Sequence, residues 1–389
     1  MMRSMMNKDR SLKRFLLSAN IVILILLLSA CSGRSKISFS SSAKEHIPFN
    51  YAENIVLEKH TAYTLARLRN PWDTTKILHT YILIDKHKPI PDSLPDATVI
   101  RIPLTRSIVY SSVHCSLLLQ LKAKDAIAGV CDLDYIYLPE IQEDCKNGHI
   151  ADIGNSMNPT IEKVIDLHPD AILLSPFQNS GGYGRIEKLD IPLIECADYM
   201  ETSALGRAEW MKFYGLLFGR TIEADSLFAK IEKNYKALMT LAASDSVRPT
   251  VFSELKSSSA WYVPGGRSTT GKLYADANAQ YIFDYTPNSG SIPMAFETVY
   301  DKGHDADFWL IKYNQATDKT LKELRRDFAP YAKFKAYQHK NVYGCNTGDI
   351  PFYEESPFQP DRLLKDLIKI FHPSLLKEYD LKYFRKLAE

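Results

Sequence analysis

The two halves of this sequence contain the same short element. Residues 161–166 have Glu, Val and Asp at the second, fourth and sixth positions, and residues 296–301 have them at the same positions. In each half an Asp-Ala pair, at Asp170 or Asp305, follows at equal distance and precedes an apolar run. A short helix leading into a buried strand suits this pattern, and its recurrence predicts two lobes built on one βα unit.

Apolar segments with the length of buried strands alternate with helical segments through most of the chain. In the first half, strands are predicted at residues 108–110, 126–130, 171–174 and 191–194. Asn158 is a favourable N-cap with Pro159 at the first helical position, and the alternation resumes at Val251. We therefore expect an α/β fold of two Rossmann-like lobes with parallel sheets, over 101–205 and 245–389.

Between the lobes, residues 206–244 predict one long linking helix. Apolar residues recur at helical spacing from position 208 to position 241, among them Trp210, Phe213, Leu217, Leu227 and Ile231. A continuous helix of this length would join the lobes as a rigid spine.

The first 30 residues have the composition of a secretory signal peptide. A basic start precedes an apolar run at 15–28, which is shorter than the roughly 18 residues of a membrane-spanning helix. The run ends in Leu28-Ser29-Ala30-Cys31, which resembles the bacterial lipobox. We expect lipid on Cys31 and a membrane-anchored lipoprotein facing the periplasm, in either membrane; the alternative is an uncleaved signal anchor.

Two further segments precede the first lobe. Residues 31–50 are Ser-rich and polar after the cysteine, which indicates a flexible tether. Residues 51–100 contain β-rich stretches at 63–68 and 77–84. They predict an antiparallel, β-rich extension packed on the first lobe.

Composition and motifs argue against several classes of function. The formal net charge is +2, and apart from the signal and a mildly basic C-terminus at 377–386 the sequence has no basic cluster interleaved with aromatics, so no nucleic-acid partner is expected. HExxH and GxSxG motifs are absent from the sequence, which favours a protein that is not an enzyme and has no catalytic residues. Residues 266–272 resemble the start of a P-loop, but Leu273 stands where Mg²⁺ binding needs Ser or Thr. We expect no cofactor and no metal site.

Five cysteines follow Cys31, and none has CxxC spacing: Cys115, Cys131, Cys145, Cys196 and Cys345. A structural zinc site is therefore not expected. Cys131 could pair with Cys145 in an oxidising periplasm, or these thiols could be free, since cysteine packs as a small hydrophobe.

Several segments together carry a family resemblance. They are the strand and loop at 103–112, the decapeptide at 121–130, Asp-Ile-Gly at 152–154, and residues 158–162 continuing to Leu-His-Pro-Asp at 167–170. Across residues 101–371 the chain resembles the substrate-binding proteins of ABC importers for cobalamin, haem and ferric siderophores. The resemblance implies two α/β lobes bridged by one stiff helix, with the ligand in the cleft between them.

The same resemblance implies a function and a partner. Such proteins capture an iron chelate, either siderophore or haem, or cobalamin, and deliver it to an ABC permease and its ATPase. One glutamate on each lobe pairs with permease arginines, and Glu162 and Glu297 match those positions. The extra segment at 50–100 and Gly-Arg-Ala-Glu-Trp at 206–210 depart from the simplest members, which leaves the ligand open. We expect a monomer.

In a two-lobed α/β protein the ligand lies at the carboxyl ends of the strands. From the first lobe this predicts Ser111, Ser112, His114, Asp132, Tyr135, Tyr137, Pro176, Phe177, Gln178 and Tyr199. The second lobe adds Trp261, Tyr262 and Arg267, with Tyr285 and Tyr353 as further candidates. Aromatic rings would stack on the ligand, and Arg267 would meet its anionic groups. His114 or a tyrosine could ligate haem iron, unless His114 is only hydrogen-bonded.

Two other functions remain open from the sequence. One is a scavenging lipoprotein that keeps the cleft but hands its ligand to another carrier without docking a permease. The other is an anchored periplasmic enzyme on a related two-lobed scaffold.

Overall fold

Residues 45–178 and 182–389 are described by the computed structural model. The predicted signal peptide, Cys31 and most of the tether lie outside the described residues. Within the described residues, no helix is both long enough and apolar enough to cross a bilayer.

The N-terminal extension is a five-stranded sheet whose strands follow chain order. Its strands are β1 (Glu45–Ile47), β2 (Ile55–Lys59), β3 (Thr64–Arg69), β4 (Ile77–Asp85) and β5 (Thr98–Ile102). Neighbouring strands are antiparallel except β4 and β5, which run parallel. Leu57, Ala66 and Tyr81 lie side by side on one face and are buried in the main core, as the two-residue period of a strand requires.

The first lobe is a five-stranded sheet with the order β10-β9-β6-β7-β8 and parallel pairing throughout. Its elements are β6 (Ser107–Val109), α1 (Ser112–Gln120), β7 (Ile127–Val130), α2 (Pro139–Lys146), β8 (Ala151–Asp152), α3 (Ile161–Asp166), β9 (Ala171–Leu174) and β10 (Leu193–Glu195). Strands β6, β7 and β9 are buried along their whole length. Their continuous apolar sequences are typical of strands covered on both faces.

The extension covers the outer edge of this sheet. The hydroxyl of Tyr81 donates to the carbonyl of Leu193 at 3.0 Å and accepts from the backbone N–H of Glu195 at 2.9 Å, both on edge strand β10. Nδ1 of His79 lies 3.1 Å from the Glu195 carboxylate. An exposed strand edge offers unpaired backbone groups to other chains. Here Tyr81 forms hydrogen bonds with two of these groups on β10.

The segment between the lobes consists of three helices, so the prediction of a single helix is wrong. They are α4 (Ala204–Glu209), α5 (Met211–Leu217) and α6 (Thr221–Ala242). Gly219 has φ of +65°, a left-handed conformation that ends α5. Gly215 then lets α5 pack beside α6, because a Cβ there would lie 2.5 Å from Cβ of Ala224. The apolar spacing persists because each helix buries a face of its own.

Two buried carboxylates hold the extension, one within this segment and one just before it. Glu209 accepts hydrogen bonds from the backbone N–H groups of residues 50–52, at 2.7 to 3.0 Å. Glu201 accepts from the backbone N–H groups of residues 53 and 54, at 2.9 and 2.8 Å. A Cβ at Gly206 would lie 2.9 Å from the carbonyl oxygen of Tyr51, so only glycine allows this approach. The segments at 50–100 and 206–210, which both depart from the simplest members of the family, are therefore joined in one structural unit.

The second lobe has a five-stranded sheet with the order β14-β11-β16-β17-β18 and a three-stranded antiparallel sheet, β12-β13-β15. Its strands are β11 (Thr250–Ser253), β12 (Lys256–Ser257), β13 (Ala260–Pro264), β14 (Gln280–Tyr281), β15 (Ser291–Met294), β16 (Phe308–Tyr313), β17 (Val342–Asn346) and β18 (Arg385–Lys386). Its helices are α7 (Thr269–Asp276), α8 (Phe296–Gly303), α9 (Leu321–Asp327), α10 (Lys335–Gln338), α11 (Phe352–Glu355) and α12 (Pro360–Phe371). Only β18 is antiparallel in the larger sheet, so the predicted fold class, two α/β lobes, is confirmed.

The internal repeat corresponds to α3-β9 in the first lobe and α8-β16 in the second. Each of these strands pairs in parallel with the first strand of its own sheet, β6 or β11. An aspartate before each strand accepts the backbone N–H at or just before that first strand: Asp170 from Thr105 at 2.7 Å, and Asp307 from Thr250 at 2.9 Å. The structural counterpart of Asp170 is thus Asp307, two residues beyond Asp305.

All five described cysteines are free, so the possible Cys131–Cys145 disulfide is not formed. Cys131 packs with Ile108 and Ile172 on one face of the first-lobe sheet, whereas Cys145 packs with the main core on the other face. Burial raises the pKa of the Cys131 thiol to about 12, which makes it an unreactive core residue.

Candidate ligand-binding site

Six aromatic side chains are exposed in the described part of the chain: Tyr135, Tyr137, Phe177, Tyr262, Tyr285 and Tyr353. Their exposed fractions run from 43% to 71%. Five of them lie in connections that leave the carboxyl ends of the parallel strands β7, β9, β14 and β17, and Tyr262 lies on β13 of the three-stranded sheet, within the connection from β11 to β14. Single exposed apolar side chains are common, but their concentration at this one edge of both sheets indicates a binding surface.

The two lobes touch each other at the same edge. Helix α11 of the second lobe packs against α1 of the first, and the carboxylate of Glu354 there interacts with the Ser112 side chain and the backbone of Tyr137. Burial raises the pKa of Glu354 above its usual value, and these polar interactions oppose the shift. Thr269 of the second lobe likewise donates to the carbonyl of Glu201, at 2.8 Å. Segments at the carboxyl ends of the two sheets are therefore in contact, on the side where the interlobe cleft is predicted.

The first lobe contributes a cavity of about 620 Å³ at the ends of β6 and β9. Its lining includes Ser111, Met157, Asn158, Phe177, Tyr183 and Arg185. This volume lies within the roughly 300 to 1,000 Å³ of small-molecule sites.

His114 is buried and does not face the cleft, so its predicted contact with the ligand is wrong. The ring is 3% exposed, and its Nε2 lies 2.8 Å from Oδ1 of Asp198. The Tyr214 hydroxyl donates to the same oxygen at 2.8 Å, and Nε of Arg207 donates to Oδ2 at 3.1 Å. Complete burial would raise the pKa of Asp198, but His114, Arg207 and Tyr214 hold it at about 2. His114 points inward because it lies in the first turn of α1, on the face that is buried with Cys115, Leu117 and Leu118.

A smaller cavity of about 210 Å³ lies between the start of the linking segment and the second lobe. We call it the Arg207–Lys312 cavity after the two cations that line it. Lys312 is at the carboxyl end of β16 and forms an ion pair with Glu254, which follows β11. Tyr353, one of the exposed aromatic residues, also lines this cavity.

Trp261 is fully buried, in contrast to its predicted place in the cleft. On β13 alternate side chains point to opposite faces, so Tyr262 is half exposed while Trp261 packs against Phe252, Trp309 and Phe334. The indole N–H donates to the carbonyl of Ser253 at 3.1 Å. Trp261 is therefore a core residue that supports the strand bearing Tyr262.

Three predicted polar residues shape the loops of the first lobe. Ser111 is the N-cap of α1, where its hydroxyl accepts from the backbone N–H of Val113. Asp132 has a φ of +52° and accepts from the backbone N–H of Ser156 at 3.1 Å. Tyr199 donates its hydroxyl to the carbonyl of Pro176. Their observed contacts are thus within the protein.

Gln178 and Arg267 are exposed, one in each lobe. Arg267 makes no ion pair with the residues that the structure describes, and its backbone N–H donates to the carbonyl of Asn288 at 3.0 Å. Its guanidinium is therefore available to a ligand.

Glu162 and Glu297 occupy equivalent, exposed positions. Each is in the first turn of its helix, α3 or α8, just before the equivalent strands of the two sheets. A carboxylate in the first turn also interacts favourably with the helix dipole. Neither has an ion-pair partner among residues 45–178 and 182–389, so both carboxylates remain free to meet a partner.

Sequence reasoning missed the charged pairs beside the cleft. From the sequence, Arg207 was identified only within the Gly-Arg-Ala-Glu-Trp segment at 206–210, and Lys312 was not singled out. A lysine that ends an apolar strand was the available signal, because strand ends face the ligand. Its carboxylate partner Glu254 could be identified only in three dimensions.

Comparison with known proteins agrees with this architecture. A family model described as periplasmic binding protein matches residues 108–347. An uncharacterized lipoprotein of Methanocaldococcus jannaschii is 28% identical over 319 residues, covering 79% of this chain and 75% of the relative. A second uncharacterized lipoprotein of that organism is 23% identical over 96% of this chain and 99% of the relative.

Solved structures share the fold at low identity. A periplasmic heme binding protein from Pseudomonas aeruginosa superposes with a TM-score of 0.57 at 14% identity, over 74% of this chain and 99% of that one. A possible iron-binding periplasmic solute-binding protein from Staphylococcus epidermidis gives a TM-score of 0.55 at 19% identity, over 69% of this chain and 99% of that one. Since the family model also spans more than half of the sequence, this chain belongs to the periplasmic binding protein family.

Proposed function

We propose that this protein is the substrate-binding component of an ABC importer. It captures an iron chelate, either a siderophore or haem, or cobalamin, in the cleft between its lobes and delivers it to the permease. The observation that carries this proposal is the set of six exposed aromatic side chains at the facing edges of the two sheets. Flat rings of this kind stack on porphyrin, corrin and catecholate surfaces.

The proposed docking surface is the pair Glu162 and Glu297. Both are exposed at the start of equivalent helices, and permease arginines would pair with them. Ion pairs at an exposed interface contribute mainly to orientation and encounter rate.

We also propose that lipid on Cys31 anchors the protein to a membrane surface in the periplasm. The relatives named as lipoproteins support this placement. The tether after Cys31 would keep the lobes close to the importer.

Ligand capture is tested by titrating the tyrosine and tryptophan fluorescence of the purified protein with haemin, cyanocobalamin, ferrichrome and ferric enterobactin. We expect quenching by one of these chelates at micromolar concentration, because rings that stack on a chelate lose fluorescence to it. If none of them quenches, the proposal of chelate capture fails.

Permease docking is tested with the double charge reversal Glu162→Lys and Glu297→Lys. We expect uptake of the bound chelate by cells to fall at least tenfold while ligand affinity stays unchanged. Glu143→Lys with Glu378→Lys is the matched control, since these exposed glutamates also lie one in each lobe. Undiminished uptake in the docking variant would favour the scavenging lipoprotein instead.

A further inference from the structure

The Arg207–Lys312 cavity combines apolar walls with two cations. Its walls include Leu273, Phe352 and Leu363, and the cations enter from α4 and from the end of β16. Such a lining suits a group with a short hydrocarbon stem and an anionic end. The stem would contact the apolar walls and the anion would meet the cations.

The size of the cavity limits what can enter it. About 210 Å³ is below the roughly 300 Å³ at which small-molecule sites begin, so a whole porphyrin or siderophore does not fit. One side arm does. The first-lobe cavity, at ≈ 620 Å³, and the exposed rings remain available for the body of the ligand.

Each cation is oriented by a carboxylate and keeps unused donors. Arg207 uses Nε to bind Asp198, and its two terminal nitrogens make no hydrogen bond with the described residues. Among the described residues, Lys312 has one hydrogen-bond acceptor, Glu254, for its three ammonium protons, and its ammonium also lies 5.9 Å from the centre of the Phe352 ring. Their side chains are only 24% and 22% exposed, so water can satisfy these donors only in part.

The carboxylate of Asp198 also fixes the position of the Arg207 guanidinium. Asp198 is fixed by His114 and Tyr214 on its other oxygen, and it cannot turn away from Arg207 without breaking both contacts. A guanidinium held in this way presents a planar pair of N–H groups, which is the geometry that recognises a carboxylate.

We propose that the Arg207–Lys312 cavity receives an ionised carboxylate arm of the ligand, so that the protein selects chelates that carry free carboxylates. This inference rests on the proposed function and narrows its substrate class. Haem with its propionates, and siderophores with a carboxylate outside the iron-binding set, meet the requirement. Neutral hydroxamate chelates and cyanocobalamin do not.

The first test changes only the ligand. Haemin and its dimethyl ester, in the same detergent, differ in their two ionised carboxylates and share the macrocycle. Ferric citrate and ferrichrome form a second pair, one with free carboxylate charge and one without. We expect the wild-type protein to bind at least one carboxylate member ten times or more tightly than its uncharged counterpart.

The second test changes the protein. We expect Arg207→Gln with Lys312→Met to weaken the carboxylate chelate at least tenfold and to abolish the discrimination between the two members of the pair. Arg248→Gln with Lys333→Met is the matched control, because both side chains are exposed and line neither cavity. Thermal unfolding of each variant shows whether it is folded at the temperature of the titration.

The outcomes separate this inference from the proposed function. Equal binding of charged and uncharged members by the wild-type protein overturns the inference and leaves chelate capture standing. If the protein binds ferrichrome or cyanocobalamin but no chelate with a free carboxylate, the inference is also overturned and chelate capture again stands. Binding of none of these compounds overturns both.

Discussion

At the scale of single residues, burial decides what each polar side chain can do. His114 and Tyr262 both follow predicted strand regions, yet one is 3% exposed and the other 51% exposed. Tyr262 can contact a ligand, whereas the buried His114 forms a hydrogen bond with Asp198. The Asp198 network then holds Arg207 at the edge of a cavity.

The lowered pKa of Asp198 predicts a pH dependence of stability. The folded-state pKa is about 2, against an ordinary value of 3.8, so the ionised form contributes stability above pH 4 that is lost as the pH falls towards 2. A difference of nearly two pKa units corresponds to roughly 2 kcal/mol. We expect Asp198→Asn to lower the free energy of unfolding by about that amount at pH 7.

Urea unfolding of the wild-type and variant proteins between pH 7 and pH 2 measures this effect. The two curves should converge in acid, because protonation removes the charge that the variant already lacks. Asp380→Asn at an exposed position is the control and should follow the wild type. A gap between wild type and Asp198→Asn that stays constant with pH would contradict the assignment.

At the scale of elements, the linking segment has two roles. It joins the lobes, and it holds the extension through Glu209 of α4, together with Glu201 just before that helix. In place of a continuous helix, α4 and α5 are short and separate, with Trp210 as the C-cap of one and the N-cap of the other. The glycines that end α5 and admit the extension are the residues that make this arrangement possible.

Removing the Glu209 carboxylate should detach the extension. It accepts three backbone N–H groups and pairs with Lys212 at 2.9 Å while fully buried. We expect Glu209→Ala to cost about 3 kcal/mol or more of stability, because these groups lose a charged partner inside the protein. Hydrogen exchange at the amides of residues 50–52 should accelerate.

A surface glutamate gives the matched comparison. Glu223→Ala disrupts a loose pair with Arg220, at 3.6 Å, and should cost less than about 1 kcal/mol. If Glu209→Ala leaves both the stability and the exchange rates of residues 50–52 at wild-type values, the extension is held by other contacts.

At the scale of the whole molecule, the six exposed rings are divided between the two lobes, three in each. A ligand that bridges the cleft should therefore depend on rings from both sides. We expect Phe177→Ala in the first lobe and Tyr353→Ala in the second each to weaken chelate binding about fivefold, which is the effect of losing roughly 1 kcal/mol of aromatic contact.

Titration of the chelate that quenches the wild-type protein checks this expectation. Both variants should unfold like the wild type, since their side chains are about half exposed. Ile222→Ser, at an exposed site on α6 that lines neither cavity, should bind normally. Loss of binding in one lobe only would place the ligand on that lobe rather than across the cleft.

Local sequence patterns were sufficient to predict the class of fold and part of the candidate site. The two-residue and helical periods identified the buried strands and their helices, and the repeat at residues 161–166 and 296–301 revealed two equivalent lobes. Every exposed aromatic residue was among the candidates, because strand ends can be read from where apolar runs stop. Glu162 and Glu297 were identified by their equivalent positions in the repeat.

Tertiary structure decided the features that depend on contacts between distant segments. The inward turn of Trp261 and His114, the break at Gly219, and the attachment of residues 50–54 to Glu201 and Glu209 all follow from packing that no local period encodes. The pairing of Lys312 with Glu254 brings together the ends of two strands. Periodicity determines which side of an element is apolar, whereas burial and ion pairing depend on what the folded chain places against that side.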